Sequence, residues 1–164
     1  MTELNAVVIF YSRHGRTESL ALEAGVGVIQ ARGNVRFRRI TDAQNADGEY
    51  IAPREIDLEW ADMLVLAIPS DAPDAMNRYL GSLKDLTGKI AAPFTWPVIM
   101  HGEKDAALMA LYAAAARAGL MVIPAPVETA ADPIQTVRAH ARRVAEIARV
   151  LKTHRAASNS AAAP

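Results

Sequence analysis

The stretch Ala6-Val7-Val8-Ile9-Phe10-Tyr11-Ser12-Arg13-His14-Gly15-Arg16-Thr17 decides how the remaining residues are read. From Ala6 to Tyr11 it is unbroken apolar sequence, rich in β-branched and aromatic side chains. That is the pattern of a strand buried on both faces of a parallel sheet. The run ends in a polar, glycine-containing turn. Beyond it Leu20, Ala24 and Val28 recur at helical spacing until Gly33-Asn34 stops them, which predicts a helix from Thr17 to about Arg32. Strand, tight turn and helix in that order form the first unit of an α/β sheet.

Working outward, Val35 to Ile40 reads as a second strand, and the polar, aperiodic Thr41 to Pro53 as a surface connection. "ADMLVLAIP", ending at Pro69, predicts a third strand, and Ala72 to about Leu86 returns to helical spacing through Met76, Leu80 and Leu83. "KIAAPFTW" is a fourth strand weakened by Pro93, followed by a helix marked by Leu108, Leu111, Tyr112 and Ala115 and closed by Gly119. "LMVIPAP" predicts the fifth strand. Asp132 caps a last helix with Pro133 in its first turn, and Ile134, Val137, Ala141, Val144, Ile147 and Leu151 step along one face.

These segments predict five parallel strands in the order 2-1-3-4-5 with helices on both faces, a doubly wound α/β sheet. Val8, Ile9, Val65, Leu66 and Val122 are expected to carry the core. One domain is expected over residues 1–155, and residues 156–164, "AASNSAAAP", as a disordered tail, since they hold no large apolar side chain.

The bulk properties narrow the function classes. Eighteen basic residues balance eighteen acidic ones, so no global field gathers nucleic acid or an anionic membrane. The absence of cysteine excludes disulfides, thiolate metal sites and a cysteine nucleophile, and no metal site is expected. Redox chemistry would therefore need a borrowed cofactor. No run approaches the ~20 apolar residues of a membrane span, and the N-terminus lacks a basic flank, so a cytoplasmic location is expected. The basic triplet Arg36, Arg38 and Arg39 on the second strand reads as edge protection, and Arg138, Arg142, Arg143 and Arg149 as the solvated face of the last helix.

In an open α/β sheet, ligands settle outside the C-terminal strand ends where the strand order reverses, here between the first and third strands. Ser12, Gly15 and Thr17 lie at that point, offering two hydroxyls and a run of backbone N–H groups that suit a phosphate monoester. Helix capping by Ser12 or Thr17 is the competing reading. The loop is neither a Walker sequence nor GxGxxG, which argues against a nucleoside triphosphate.

"FYSRHGRTESLALEAGVGV" resembles the opening of flavodoxin-like NAD(P)H:quinone oxidoreductases of the tryptophan-repressor-binding-protein type, and the similarity runs from about Ala6 to Pro126. The resemblance implies the flavodoxin-like fold, flavin mononucleotide (FMN) as cofactor, NAD(P)H as electron donor, a quinone-like acceptor, and a homodimer or homotetramer. It places the FMN phosphate among Ser12, Gly15 and Thr17, with Arg13, His14 and Arg16 lining the loop. The family's second loop corresponds to "PSDAPDAM", where Pro69, Ser70 and Met76 match while Asp71, Ala72 and Pro73 differ and the covering aromatic is missing. In the third loop Thr95, Trp96 and His101 are the candidates for the ring and ribityl edges, and Gly102 is the remaining glycine. His101 is the titratable side chain expected to steer a proton. Two other functions stand beside this one: a flavodoxin-type electron carrier, and a domain of this fold that has lost FMN and serves in binding or oligomerisation.

Overall fold

Even- and odd-numbered residues of the first strand, β1 (Leu4–Phe10), go to opposite sides of the molecule. Leu4, Ala6, Val8 and Phe10 enter one apolar cluster, and Val7 and Ile9 enter another. A strand covered on both faces must be apolar along its covered length, which is why Ala6 to Phe10 show no alternation, while the half-buried Asn5 near the strand's start donates from its side chain to the Trp60 carbonyl. The computed structural model describes residues 2–41, 49–96, 103–125 and 132–161. Their elements are β1, α1 (Arg16–Gln30), β2 (Gly33–Arg39), α2 (Glu55–Trp60), β3 (Met63–Pro69), α3 (Pro73–Ser82), β4 (Ile90–Trp96), α4 (Glu103–Arg117), β5 (Met121–Val122) and α5 (Pro133–Ala161).

The five strands pair in parallel in the order β2-β1-β3-β4-β5, as expected. Val8 sits beside Phe37 on one side and Val65 on the other, and Val65 beside Ala92. The first cluster packs the sheet against α1 and α5 through Leu20, Ala24, Val28, Val137, Ala141 and Val144. The second packs the other face against α2, α3 and α4 through Leu58, Met76, Leu80 and Leu111. Val8, Ile9, Val65 and Leu66 have no exposed surface. Burial of a side chain of that size is worth about 1.5–3 kcal/mol. Asp132 caps α5 as predicted, its Oδ1 accepting from the Ile134 and Gln135 amides at 2.9 and 3.3 Å.

Helices α1 and α5 lie unusually close. A Cβ added to Gly27 would stand 2.2 Å from the Arg138 carbonyl oxygen, so only glycine admits this approach. Arg138 pairs with Glu23, and Arg149 donates to the Ala31 carbonyl. Both arginines thus tie α5 to α1, where the sequence reading had them on a solvated face.

Five further readings are corrected. The fifth strand is two residues long, not seven, because Pro124 has no N–H to continue the ladder. Val122 is accordingly half-buried and outside the fully buried core. A short helix, α2, stands between β2 and β3, too brief for periodicity to disclose. α3 stops at Ser82 rather than near Leu86, and α5 runs through Ala161 across most of the segment expected to be disordered. Residues 153–160 of that extension are exposed, so their helicity rests on local propensity, which alanine favours, rather than on burial. Pro126 and residues 162–164 lie outside the described residues.

Candidate functional site

The C-terminal ends of β1, β3 and β4 open into a cleft of about 450 Å³ lined by Ser12, Arg13, His14, Arg16, Thr17, Pro69, Ser70, Asp71 and Trp96. A cleft of about 520 Å³ between α2 and α3, lined in part by Arg54, Tyr79 and Lys84, is larger. Position decides between them: ligands of open α/β sheets bind beyond the strand C-termini at the switch point.

Loop 1 connects β1 to α1. Its turn is closed by the Ser12 hydroxyl, whose Oγ accepts from the Gly15 amide at 3.1 Å. Gly15 has φ +78°, a left-handed conformation that non-glycine residues reach only at a cost. It is also the N-cap of α1, and no side chain caps that helix among the described residues. Capping by Ser12 or Thr17 is therefore not what these hydroxyls do: Ser12 bonds outside the helix and Thr17 stands within its first turn. The first-turn amides of an uncapped helix carry N–H groups without intrahelical partners, together with the positive end of the helix dipole. Ser12 and Thr17 are both almost fully buried beside them.

Arg13 spans two loops. Its Nε donates to the Tyr11 hydroxyl at 3.2 Å, its guanidinium lies 5.8 Å from the Tyr11 ring centre, and its Nη1 is 3.7 Å from Asp71 Oδ2. Loop 2, after β3, is held to the end of β4 by the Ser70 amide donating to the Trp96 carbonyl at 2.8 Å. Trp96 is partly exposed, reaches the cleft, and packs its other side against the α1/α5 cluster.

Nine of the predicted side chains thus converge on one cleft, with Gly15 in the loop between them. Two do not reach it. Ala72 is buried at the N-cap of α3, and Thr95 is buried on β4 one residue before the cleft. His101 and Gly102 lie outside the described residues.

Sequence reasoning missed Arg39. The basic triplet of β2 divides its duties rather than guarding an edge. Arg38 grips the fully buried Asp57 with Nε and Nη2, each at 2.6 Å, and Arg36 adds a 3.2 Å contact while lying 4.0 Å above the Trp60 ring. These hydrogen bonds, Arg38's foremost, hold the Asp57 carboxyl below the usual range against the opposing effect of burial. Arg39, at the strand's end, turns to loop 1: its Nη2 donates to the Ser12 carbonyl at 2.8 Å. The available signal was topological, since parallel pairing of β1 and β2 sets Arg39 opposite Phe10, two residues before Ser12.

No protein-family model matches the chain, and no curated protein matches it. Solved structures do. A flavodoxin from the domain Archaea superposes with a TM-score of 0.65 at 17% identity, over 89% of this chain and 99% of that one. A flavodoxin from Streptococcus pneumonia TIGR4 gives 0.64 at 19% identity, over 86% and 97%. A flavone reductase gives 0.53 at 18% identity, over 91% of this chain and 64% of that one. At such identities the likeness establishes the flavodoxin-like fold.

Proposed function

We propose that the cleft binds FMN and that the protein uses it to pass electrons from NAD(P)H to a quinone-like acceptor. The observation that carries this reading is the uncapped N-terminus of α1 behind a left-handed glycine, flanked by the buried Ser12 and Thr17, at the β1/β3 switch point. Such a cup satisfies the three oxygens of a phosphate monoester with amides, hydroxyls and the helix dipole. The cleft's volume falls in the range common for small-molecule sites, roughly 300–1,000 Å³. The names of the flavodoxin neighbours support the same ligand class, and that of the flavone reductase supports a reductive role.

The residues present fit the two ends of FMN unequally. Ser12, Thr17 and the amides of Arg16 and Thr17 would hold the phosphate, with the Gly15 amide kept by the Ser12 hydroxyl and the Arg13 and Arg16 guanidiniums offsetting the charge. Trp96 would offer its flat face to one side of the ring. Loop 2 presents Pro69, Ser70 and Asp71, with no aromatic to cover the other side. Bound there, FMN supplies two-electron and one-electron transfer, while the protein binds, orients and sets the local field. A ring face that loop 2 leaves without an aromatic cover gives a donor or acceptor room to approach on that side. His101 is proposed as the group that delivers a proton near the ring. A homodimer or homotetramer in the cytoplasm completes the proposal.

The second reading, a domain of this fold that works without FMN, is favoured by the missing loop 2 aromatic. The visible spectrum of the purified protein separates the two. The enzyme reading expects flavin's two absorption bands, released on denaturation, and NAD(P)H-driven bleaching restored by a quinone. A colourless protein that stays colourless after incubation with FMN would contradict it.

A further inference from the structure

We infer that Arg39 is a positioning residue for the phosphate loop: from the end of the edge strand β2 it holds the Ser12 carbonyl and so fixes the Ser12–Arg13 peptide at the mouth of the cleft. The inference rests on the FMN reading for its ligand, and on the structure alone for its geometry.

A charge that served only to protect a sheet edge would point into solvent. The Arg39 side chain is 10% exposed and reaches loop 1 and the first turn of α1. Burying a guanidinium is costly unless its donors are used. Nη2 is used on the Ser12 carbonyl at 2.8 Å, and Nη1 stands 3.9 Å from Glu18 Oε2 in the first turn of α1. The base of the side chain is equally fixed. Arg39 donates its own amide to the Ile51 carbonyl at 3.1 Å, and the next amide, of Ile40, reaches the Phe10 carbonyl at 2.9 Å.

The consequence for the loop follows from peptide planarity. In a trans peptide the C=O and the following N–H point to opposite sides, so an oxygen drawn toward Arg39 turns the next amide away from β2. The turn is then closed by the Gly15 amide on Ser12 Oγ. Arg39 has a second effect. Glu18 places a carboxylate one turn from the proposed phosphate, and the guanidinium beside it offsets that repulsion. A lysine could reach the carbonyl with one ammonium, but not the carbonyl and the carboxylate with a planar fork.

The test compares Arg39→Met and Arg39→Lys with the unaltered chain by titration with FMN and with riboflavin, which lacks the phosphate, alongside melting temperature. Arg39→Met is expected to weaken FMN by about 10- to 100-fold and riboflavin by less than about twofold, the size of one or two hydrogen bonds involving a charged group. Arg39→Lys is expected to recover part of that loss. Equal weakening of both flavins in step with the melting temperature would overturn the inference, and so would unchanged FMN affinity. If the unaltered protein binds neither flavin, the FMN reading fails and the Arg39 inference is judged separately by amide-proton exchange at Gly15 without ligand. Exchange about tenfold faster in Arg39→Met, with β1 and β3 amides unchanged, supports it; unchanged exchange at Gly15 overturns it.

Discussion

Loop 1 and loop 2 border the same cleft, yet they are anchored differently. Loop 1 is tied on three sides: internally by Ser12 to Gly15, from β2 by Arg39, and from β1's own end by Tyr11 to Arg13. Among the described residues loop 2 has backbone bonds from Ser70 to Trp96 at 2.8 Å and from Ala72 to Pro69 at 3.2 Å, and its one side-chain tie is an ion pair from Asp71 to Arg13 at 3.7 Å, with Asp71 largely exposed. Recognition of a compact anion by backbone amides requires those amides to be aimed before the ligand arrives, and a pre-aimed backbone needs such ties. A ring that must meet partners of varied shape needs a face left open. On the proposed function, the difference makes loop 1 the source of affinity and loop 2 the side left for access.

The strongest test of that division removes both loop 1 hydroxyls. Ser12→Ala with Thr17→Val is expected to weaken FMN by about two to four orders of magnitude, since hydrogen bonds to a charged group contribute roughly 1.5–3 kcal/mol each. Riboflavin affinity should change little, and calorimetric titration with both ligands reads the contrast directly. An equal loss for riboflavin would break the assignment.

Acid probes the scaffold beneath both loops, through α5. His140 on α5 is nearly buried, its Nε2 has no hydrogen-bond partner among the described residues, and it hydrogen-bonds the backbone at Ile123, just past β5. Burial, followed by the positive charge of Arg143, pushes its pKa down from 6.5 to about 4, against a smaller opposing effect of the Ile123 bond. The unfolded chain thus binds the proton more readily, so stability is complete above pH 6.5 and falls as pH drops toward 4. The loss is on the order of 3 kcal/mol. Denaturant melts of the unaltered chain and of His140→Leu at pH 7 and pH 4 check this; a pH difference that survives in His140→Leu would assign it to other groups.

Smaller effects sharpen the contrast. Gly15→Ala meets no atom within 4 Å of its new Cβ, so its cost is the left-handed backbone alone, about 1–2 kcal/mol in a melt. Trp96→Ala should weaken FMN and riboflavin alike, by about tenfold, because in the proposed complex it would meet the ring and not the phosphate. Asp71→Asn should cost less than about 1 kcal/mol, as exposed ion pairs do, leaving both flavins nearly unaffected.

What was legible in the sequence followed from local pattern. The unbroken apolar runs of β1 and β3 can be stable only between two helical layers, and that requirement predicted the sheet and its switch point. Loop 1 could be read because its glycine, hydroxyls and cations are consecutive. α2 was not legible because six residues span fewer than two helical turns, and β5 was overread because an apolar run signals burial, not ladder bonds, which Pro124 ends. Arg39 escaped because its partner lies 27 positions away and depends on parallel pairing. Reading the triplet Arg36, Arg38 and Arg39 as one edge feature hid the fact that Asp57 takes two of its members and Ser12 the third.

The central claim is that the phosphate end, not the ring, supplies most of the affinity. Titration of the flavin-free protein with FMN and with riboflavin at equal ionic strength measures this without any mutation. The account expects FMN to bind at least about 100-fold more tightly, the value of two charge-assisted hydrogen bonds. Equal affinities would show that the cup formed by Ser12, Gly15 and Thr17 does not hold a phosphate.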